Sequence, residues 1–296
     1  MTGGTFRLSA LVSNIRDYCI LLVYVSLVTV ATAVSGDLPL RYSGSPKYLS
    51  FAGTDSVFQV GEELTYNVSY AFYDIGQVKI KIIDKITDGK KTYYKASANI
   101  DSYKGVPFVD LHSIYESNID SSFFSHQFRS RIKKDDGWYG FTYHFNYKEN
   151  KVMMDQGWSN SNKIDKRDSL VIDTLSQDGL SLFFLARQNV LSARTMNIPT
   201  VVSETKGNTL IHFTNEHTDE KIDAVDYPVD CVHFEGNAGF VGIFGLTGDF
   251  EGWFSNDEAR VPILAKMKVI LGSIRIELMR WKRANWAPPK YNESGR

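Results

Sequence analysis

Residues Tyr139–Tyr147 read YGFTYHFNY, with an aromatic ring at every second position. Small or polar residues occupy the positions between the rings. Because successive side chains of a β-strand point to opposite faces, this alternation predicts a strand with one buried and one wet face. Such alternation is typical of antiparallel sheets, since strands that are buried on both faces are continuously apolar.

The same alternation recurs towards both ends of the chain, in Leu64–Phe72 and in Ile274–Leu278. Turn-forming runs such as Asp88-Gly89 and Asp135–Gly137 divide the sequence into pieces of hairpin length. This spacing predicts a meander of about ten or more strands. A sheet of that size is expected to curl or close instead of lying flat.

One segment departs from the strand pattern and predicts a buried helix. Leu180–Ala186 is apolar on every side, Thr174 and Gln177 have the spacing of a capping box, and Asp178 suits the positive first turn. A helix of this kind needs cover on every side, which a curved sheet supplies. We therefore predict a mainly β fold, with a large curved antiparallel sheet or partly open barrel wrapped around one buried helix.

Composition excludes several classes of protein. The chain has 296 residues, of which 43% are hydrophobic, and its formal net charge is -1. Low hydrophobicity with high net charge characterises disordered chains, and this chain has neither. Nucleic-acid binding needs a basic surplus to displace counterions, so we expect no nucleic-acid partner.

The N-terminal residues predict an export signal. Arg7 and Arg16 precede an uncharged, largely apolar stretch from 18 to 36, which ends in the small residues Ala31 and Ala33. We expect a signal peptide over 1–35. The alternative is a single retained membrane anchor, because the stretch approaches the roughly 20 residues that span a bilayer. Membrane contact would then occur only through this segment.

The rest of the chain is expected to form one domain. Residues 36–47 are rich in Gly, Pro and Ser and predict a linker. We interpret residues 48–286 as a single β-rich domain, and 287–296 as a disordered tail. After cleavage of the signal only Cys231 would remain of the two cysteines, which leaves no internal disulfide.

Four segments together carry a family resemblance: Gly61–Tyr66, Asp178–Phe184, Ser255–Pro262 and Gly272–Leu278. Their order and spacing resemble the bacterial exported family called domain of unknown function 3108. Paired aspartates commonly follow the serine of the third segment in that family, whereas Asn256 takes the first of those positions here. The resemblance implies export to the periplasm or cell envelope of a bacterium and a β-rich fold, without an assigned activity.

Motifs that would indicate catalysis are largely absent. The sequence contains no nucleophile elbow, no paired-His zinc helix, no phosphate loop and no dinucleotide fingerprint. The glycine-rich run from Gly236 to Gly248 is filled with large apolar residues, which favours a bending strand over a phosphate cradle. We therefore expect a non-enzymatic protein without a cofactor.

Cys231, His233 and Glu235 stand at alternate positions, so on a strand their side chains would share one face. That arrangement suits a soft or borderline divalent metal, and it suggests a metal-dependent hydrolase as one alternative. The simpler interpretation is an outward polar face with Cys231 as a small apolar filler.

A second polar feature is the basic run of Arg129, Arg131, Lys133 and Lys134. It lies beside Asp135–Gly137, which favours a solvated hairpin end. The other interpretation is a site for anionic headgroups or polysaccharide.

The aromatic alternation itself suggests a ligand site. Buried tyrosine hydroxyls need hydrogen-bond partners, so an interior with many of them is not expected to be uniformly dry. We predict a cavity for an apolar or amphiphilic ligand, such as a lipid, lined by Tyr66, Tyr70, Tyr139, Phe141, Tyr143, Phe145 and Phe183. The alternative is a structural or scaffolding envelope module with a filled core, whose sheet edge binds an envelope protein partner.

Overall fold

The structure, a computed structural model, describes residues 57–89, 91–106, 110–161, 163–238, 248–268 and 273–292. Fourteen strands in these ranges form one antiparallel sheet. The strands are β1 (Glu63–Tyr70), β2 (Tyr73–Asp88), β3 (Lys91–Ser102), β4 (His112–Asp120), β5 (Ser125–Lys134), β6 (Gly137–Asn146), β7 (Lys151–Trp158), β8 (Lys166–Val171), β9 (Thr195–Val202), β10 (Thr205–Glu220), β11 (Val229–Ala238), β12 (Gly248–Ser255), β13 (Pro262–Lys268) and β14 (Ser273–Lys282). The predicted mainly β fold is confirmed.

Two meanders make up the sheet. Strands β1 to β8 pair with their neighbours in chain order, and so do strands β9 to β14. The two meanders join where β1 pairs with β14, with Tyr66 opposite Leu278. We call this pairing the seam. The first and last strands of the domain are therefore neighbours, while β8 and β9 lie at the two ends of the strand order.

The helix α1 spans Gly179–Asn189 and is followed by a 3₁₀ turn. Its N-cap is Asp178, whose carboxylate accepts hydrogen bonds from the backbone of Leu180 (2.7 Å) and Ser181 (2.8 Å). The Ser181 hydroxyl in turn accepts from the backbone N–H of Asp178, which completes a capping box. The helix thus begins about one turn later than the predicted Thr174–Gln177 cap indicated.

The reason is a backbone pairing just before the helix. The N–H of Gln177 donates to the Pro199 carbonyl (2.9 Å), and the N–H of Val201 donates to the Gln177 carbonyl (2.8 Å). Gln177 is therefore held as an extended residue beside β9 and does not belong to a helical turn. This pairing also links the end of the first meander to the start of the second.

The inner face of the sheet, meaning the face that carries α1, holds the helix through its N-cap residue. Oδ2 of Asp178 accepts hydrogen bonds from the Ser117 hydroxyl of β4 (2.6 Å) and the Ser125 hydroxyl of β5 (2.5 Å). As a result α1 lies mainly over β3, β4 and β9. The Phe184 ring contacts the Phe58 and Phe183 rings, at centroid distances of 5.1 and 5.3 Å.

The described residues begin at 57 and extend to 292, so they cover part of the predicted C-terminal tail but none of the predicted signal peptide or linker. The predicted signal peptide and linker, residues 1–47, lie outside the described residues. At the other end the prediction of a disordered tail from 287 is wrong for its first residues, because the Pro289 carbonyl accepts from Asp230 and the Tyr291 N–H donates to Pro228. Within the described ranges, every helix is too short or too polar to cross a membrane.

Candidate functional site

A cavity of about 200 Å³ lies between α1 and the inner face of the sheet. The helix contributes Gly179, Leu182, Phe183 and Ala186, which recur at the spacing of one helical face. Leu182 and Phe183 are half-buried, so this face of the helix borders solvent as well as the cavity. The opposite face of α1 is buried in the domain, with Leu180, Phe184 and Leu185 inside.

The sheet lines the rest of the cavity with residues from both sides of the seam. Its lining side chains come from β1, β2 and β10 to β14: Tyr66, Val78, Ile80, Thr209, Ile211, Phe234, Ala238, Phe250, Glu251, Phe254, Pro262, Leu264, Ala265, Met267 and Ile276. Only three of these carry polar side-chain atoms, namely Tyr66, Thr209 and Glu251. The cavity is therefore an apolar site with few hydrogen-bonding groups.

Two glycines explain why space remains in front of the aromatic rings of β11 and β12. Phe234 pairs with Gly252, and Gly236 pairs with Phe250. A Cβ atom on Gly252 would lie 2.5 Å from the Phe234 ring, and one on Gly236 would lie 2.3 Å from the Phe250 ring. Each ring thus lies over the glycine of the neighbouring strand and against the sheet. The interior in front of the rings stays open.

Tyr66 is the most unusual polar group in the lining. The residue is 3% exposed, and its hydroxyl has no hydrogen-bond partner among the described residues. Burial raises the pKa of Tyr66, the Arg187 guanidinium lowers it and the Glu62 carboxylate raises it. The hydroxyl stays neutral at any physiological pH and can donate a hydrogen bond.

The neighbouring charges form a buried ion pair. Arg187 and Glu62 are 0% and 2% exposed, and the guanidinium donates to both carboxylate oxygens, at 2.7 and 3.1 Å. Arg187 also donates to the carbonyls of Ala259 and Arg260, and Arg283 donates to Glu62. Burial raises the pKa of Glu62, but the two guanidiniums outweigh it and hold that pKa below its usual value. The donors and acceptors of this cluster are used internally, which indicates a structural role.

The structure places the predicted ligand-binding residues in two groups. Tyr66 and Phe183 line the cavity. The remaining five are absent from its lining residues: Tyr70, Tyr139, Phe141, Tyr143 and Phe145.

Most of these five side chains pack against other rings. The Tyr143 ring lies 5.6 Å from Phe128 and 6.3 Å from Phe141, and the Tyr139 ring lies 5.0 Å from Trp158. Tyr143 and Phe145 are buried, whereas Tyr70 is 37% exposed at the end of β1.

Sequence reasoning missed the lining residues of β11 and β12. The signal that would have found them is the alternation of phenylalanine and glycine in Phe234-x-Gly236 and in Phe250-x-Gly252-x-Phe254. The run from Gly236 to Gly248 was interpreted only as a bending strand, and its residues 239–247 lie outside the described part of the chain.

The metal candidates on β11 occupy different environments. Cys231 is fully buried, and burial raises the pKa of its thiol. His233 is half-buried with Nε2 3.9 Å from a Glu251 oxygen, while Glu235 is exposed. No group of three His, Cys, Asp or Glu side chains in the described ranges could hold a metal ion.

The fold and the site together define a mainly β protein with an apolar cavity under a buried helix. Comparison with protein families assigns the chain to a family. The sequence profile of the family described as "Protein of unknown function (DUF3108)" matches residues 65–279, and the chain belongs to this family. The resemblance of the four segments quoted above is confirmed.

Comparisons with individual proteins do not assign a function. A search of curated proteins finds no match. One solved structure that matches is described as the crystal structure of a beta-barrel-like protein of domain of unknown function DUF1849 from Brucella abortus. Its TM-score is 0.48 at 10% sequence identity, and the match covers 75% of this chain and 96% of that chain.

Proposed function

We propose that this protein is an exported, non-enzymatic protein of a bacterial cell envelope, which holds or transfers an apolar or amphiphilic ligand in the cavity between α1 and the sheet. The observation that carries the proposal is the cavity itself, lined almost entirely by apolar side chains. Ligand sites are typically apolar and carry a few polar groups that orient the ligand. Protein interiors are closely packed and leave few voids larger than a water molecule. An apolar cavity that packing does not fill is therefore a candidate ligand site.

The size of the cavity limits what fits inside. An apolar cavity of about 150 Å³ is large enough for a benzene molecule. The cavity here, at about 200 Å³, therefore accommodates one ring or the end of one acyl chain. A larger amphiphile would insert its apolar end and leave the remainder outside.

The solvent-facing side of the cavity suits the polar part of such a ligand. Leu182 and Phe183 line the cavity and are half-buried, so they lie where the cavity meets solvent. A polar head group beside these two residues would keep its hydration while the tail stays dry.

Co-purification tests the proposal directly. We expect mass spectrometry of organic extracts from natively purified protein to detect an apolar or amphiphilic compound in stoichiometric amount. Ala265→Leu places three more carbons in the cavity and should abolish its retention, whereas Ala284→Leu, at an exposed position, should not. Absence of any extracted compound, together with no binding of toluene detected by NMR, would overturn the proposal.

Export and localisation rest on the N-terminal sequence and need their own measurement. The intact mass of protein recovered from the cell envelope should correspond to a chain that begins after the small residues Ala31 and Ala33. A full-length mass would instead support a retained anchor. Recovery of the protein only from the cytoplasm would overturn the export part.

A scaffolding module is the second candidate, and one observation favours it. Strand β8 lies at an end of the sheet and pairs only with β7 among the described strands. An open strand edge can bind an extended segment of another protein. Proline cannot donate a backbone hydrogen bond to an added strand, so Ser169→Pro in β8 should weaken the binding of such a partner. Ligand retention should not change, which distinguishes the two candidate functions.

A further inference from the structure

A second cavity, of about 440 Å³, lies over β5, β6 and β7 on the outer face of the sheet, opposite to the inner face. Phe128 and Ser130 of β5 are buried. Arg129 and Arg131 alternate with them and line the outer cavity. These arginines belong to the basic run noted in the sequence, and the proposed function leaves them without a role.

Two glycines lie at the floor of this outer cavity. Arg131 pairs with Gly140 of β6, which pairs with Gly157 of β7. A Cβ atom on Gly140 would lie 1.8 Å from the Ser130 carbonyl oxygen, and one on Gly157 would lie 2.9 Å from the Lys163 carbonyl oxygen. The backbone therefore requires glycine at both positions, and the two bare positions leave room beside the arginines.

The charges that line the outer cavity are unequally paired. Arg129 and Lys163 have no carboxylate within ion-pair distance among the described residues. Asp155, the acidic residue in the lining, already accepts hydrogen bonds from Arg167 at both oxygens, at 2.6 and 3.0 Å. The lining thus keeps a positive excess that its own carboxylate does not neutralise.

Arg131 has unused hydrogen-bonding capacity in the same place. Its Nη2 donates to Glu116 at 3.0 Å, and that carboxylate is also 3.5 Å from Lys95. Its Nε–H is buried and has no partner in the described part of the chain. An oxyanion in the outer cavity would satisfy this donor.

The other lining residues are of two kinds. Phe141, Trp158 and Ile164 are apolar or aromatic, and Phe141 is one of the ligand-binding residues predicted from the sequence. Beside them and His144, hydroxyls and amides on β5, β6, β7 and the segment after β7 supply neutral hydrogen-bonding groups: Gln127, Thr142, Gln156, Ser159 and Ser161. Such groups can both donate to and accept from the hydroxyls of a sugar. The outer cavity therefore combines cations with neutral donors and acceptors, in contrast to the inner cavity.

We propose that the outer cavity binds a monosaccharide phosphate, with its phosphate between Arg129 and Arg131 and its sugar over Gly140 and Gly157. Guanidinium groups are well matched to phosphate oxygens in charge and geometry. The volume falls within the range of about 300 to 1,000 Å³ that is usual for small-molecule sites. The proposal uses none of the residues of the inner cavity and stands independently of the proposed function.

Calorimetric titration of the full chain with glucose 1-phosphate tests the proposal, with glucose and inorganic phosphate as comparison ligands. We expect glucose 1-phosphate to bind more tightly than either. Arg129→Gln and Arg131→Gln should each weaken its binding roughly tenfold or more, as the loss of a charged hydrogen bond implies. Lys133→Gln is the matched control, because Lys133 lies on the same strand and is exposed outside the cavity lining.

Each result separates this site from general electrostatic attraction. The proposed site would be contradicted if Lys133→Gln and Arg129→Gln lost the same affinity for glucose 1-phosphate. It would also be contradicted if glucose 1-phosphate did not bind at millimolar concentration. Inorganic phosphate that binds as tightly as glucose 1-phosphate would overturn the sugar part. Urea unfolding of each variant checks that the change at Arg131, which loses its Glu116 contact, has not unfolded the domain.

Discussion

Aromatic rings face inward on two parts of the sheet, and they fill one part but not the other. On β5 and β6 the rings of Phe128 and Tyr143 contact each other, with centroids 5.6 Å apart. On β11 and β12 the Phe234 and Phe250 rings lie over glycines and leave a cavity in front of them. We call these the filled side and the hollow side. The comparison teaches that the residue opposite a ring, more than the ring itself, determines whether space remains.

Tyrosine hydroxyls differ between the two sides in the same way. On the filled side, the Tyr143 hydroxyl accepts from the backbone N–H of Glu204 (3.1 Å), and the Tyr147 hydroxyl donates to the Ser125 carbonyl (2.6 Å). On the hollow side, the Tyr66 hydroxyl has no partner in the described residues. Backbone groups of nearby segments therefore satisfy the hydroxyls that the sequence suggested would need a wet interior.

The largest expected effect comes from truncating one ring on each side. Phe128→Ala should destabilise the protein by about 3 to 5 kcal/mol, because it removes a buried ring and leaves a void in a packed region. Phe183→Ala should cost only about 1 to 2 kcal/mol, since that ring is half-buried beside an existing cavity. Urea unfolding of both variants measures the difference. Equal costs on the two sides would remove the distinction between filled and hollow.

A smaller effect is expected from the ion pair near the seam that joins the two sides. Glu62→Gln removes the carboxylate that Arg187 and Arg283 share in the interior. Loss of one partner of a buried pair leaves uncompensated charge, and we expect a cost of about 3 kcal/mol in urea unfolding at neutral pH. Asp155→Asn is the control, because its pair with Arg167 is exposed to solvent and should contribute little.

Acid should remove the difference between wild-type protein and Glu62→Gln. The pKa of Glu62 is lowered in the folded state, from an ordinary value of 4.5. The stabilisation from this carboxylate is therefore fully present above about pH 4.5 and is lost as the pH falls through the folded pKa. Unfolding free energies of the two proteins should converge in that direction. A gap that stays constant down to the acid unfolding limit would show that Glu62 acts through shape and not through charge.

The strands could be predicted from the sequence, but the position of the cavity could not. Alternation of period two, as in Tyr139–Tyr147, is a local property of the chain, so it predicted a half-buried strand and the antiparallel sheet. Which rings border empty space depends on strand register, and register is not local. The alternation of phenylalanine and glycine within β11 and within β12 marks candidate lining residues. The pairing of Phe234 with Gly252 joins residues on different strands, so the position of the ring over the glycine follows only from the register.

The helix shows the same limit on a smaller scale. Its apolar residues were predicted, and α1 covers Leu180–Ala186. Its start and its direction depend on partners elsewhere in the chain, namely the Gln177 pairing with β9 and the hydroxyls of Ser117 and Ser125. Tyr66 was predicted as a lining residue from the alternation of rings on β1, and Phe183 from its place on the apolar helix, and both line the cavity. Both signals are local patterns of the sequence.

The smallest expected effect is on the filled side, at the hydroxyl of Tyr143. Tyr143→Phe should cost about 1 kcal/mol in urea unfolding, because the N–H of Glu204 loses its acceptor while the ring packing is unchanged. Tyr139→Phe is the matched control, since the Tyr139 hydroxyl makes no hydrogen bond within the described residues and lies on the same strand.

Alkaline pH should sharpen this last contrast. Burial raises the pKa of Tyr143 to about 12, from an ordinary value of 10.0. A raised pKa favours the neutral form in the folded state, so this stabilisation is present below pH 10 and is lost as the pH rises from 10 towards 12. Wild-type protein should lose more stability than Tyr143→Phe over that interval. If both lose the same amount, the hydroxyl is not buried in solution, and the rings on this side are less tightly packed than those contacts indicate.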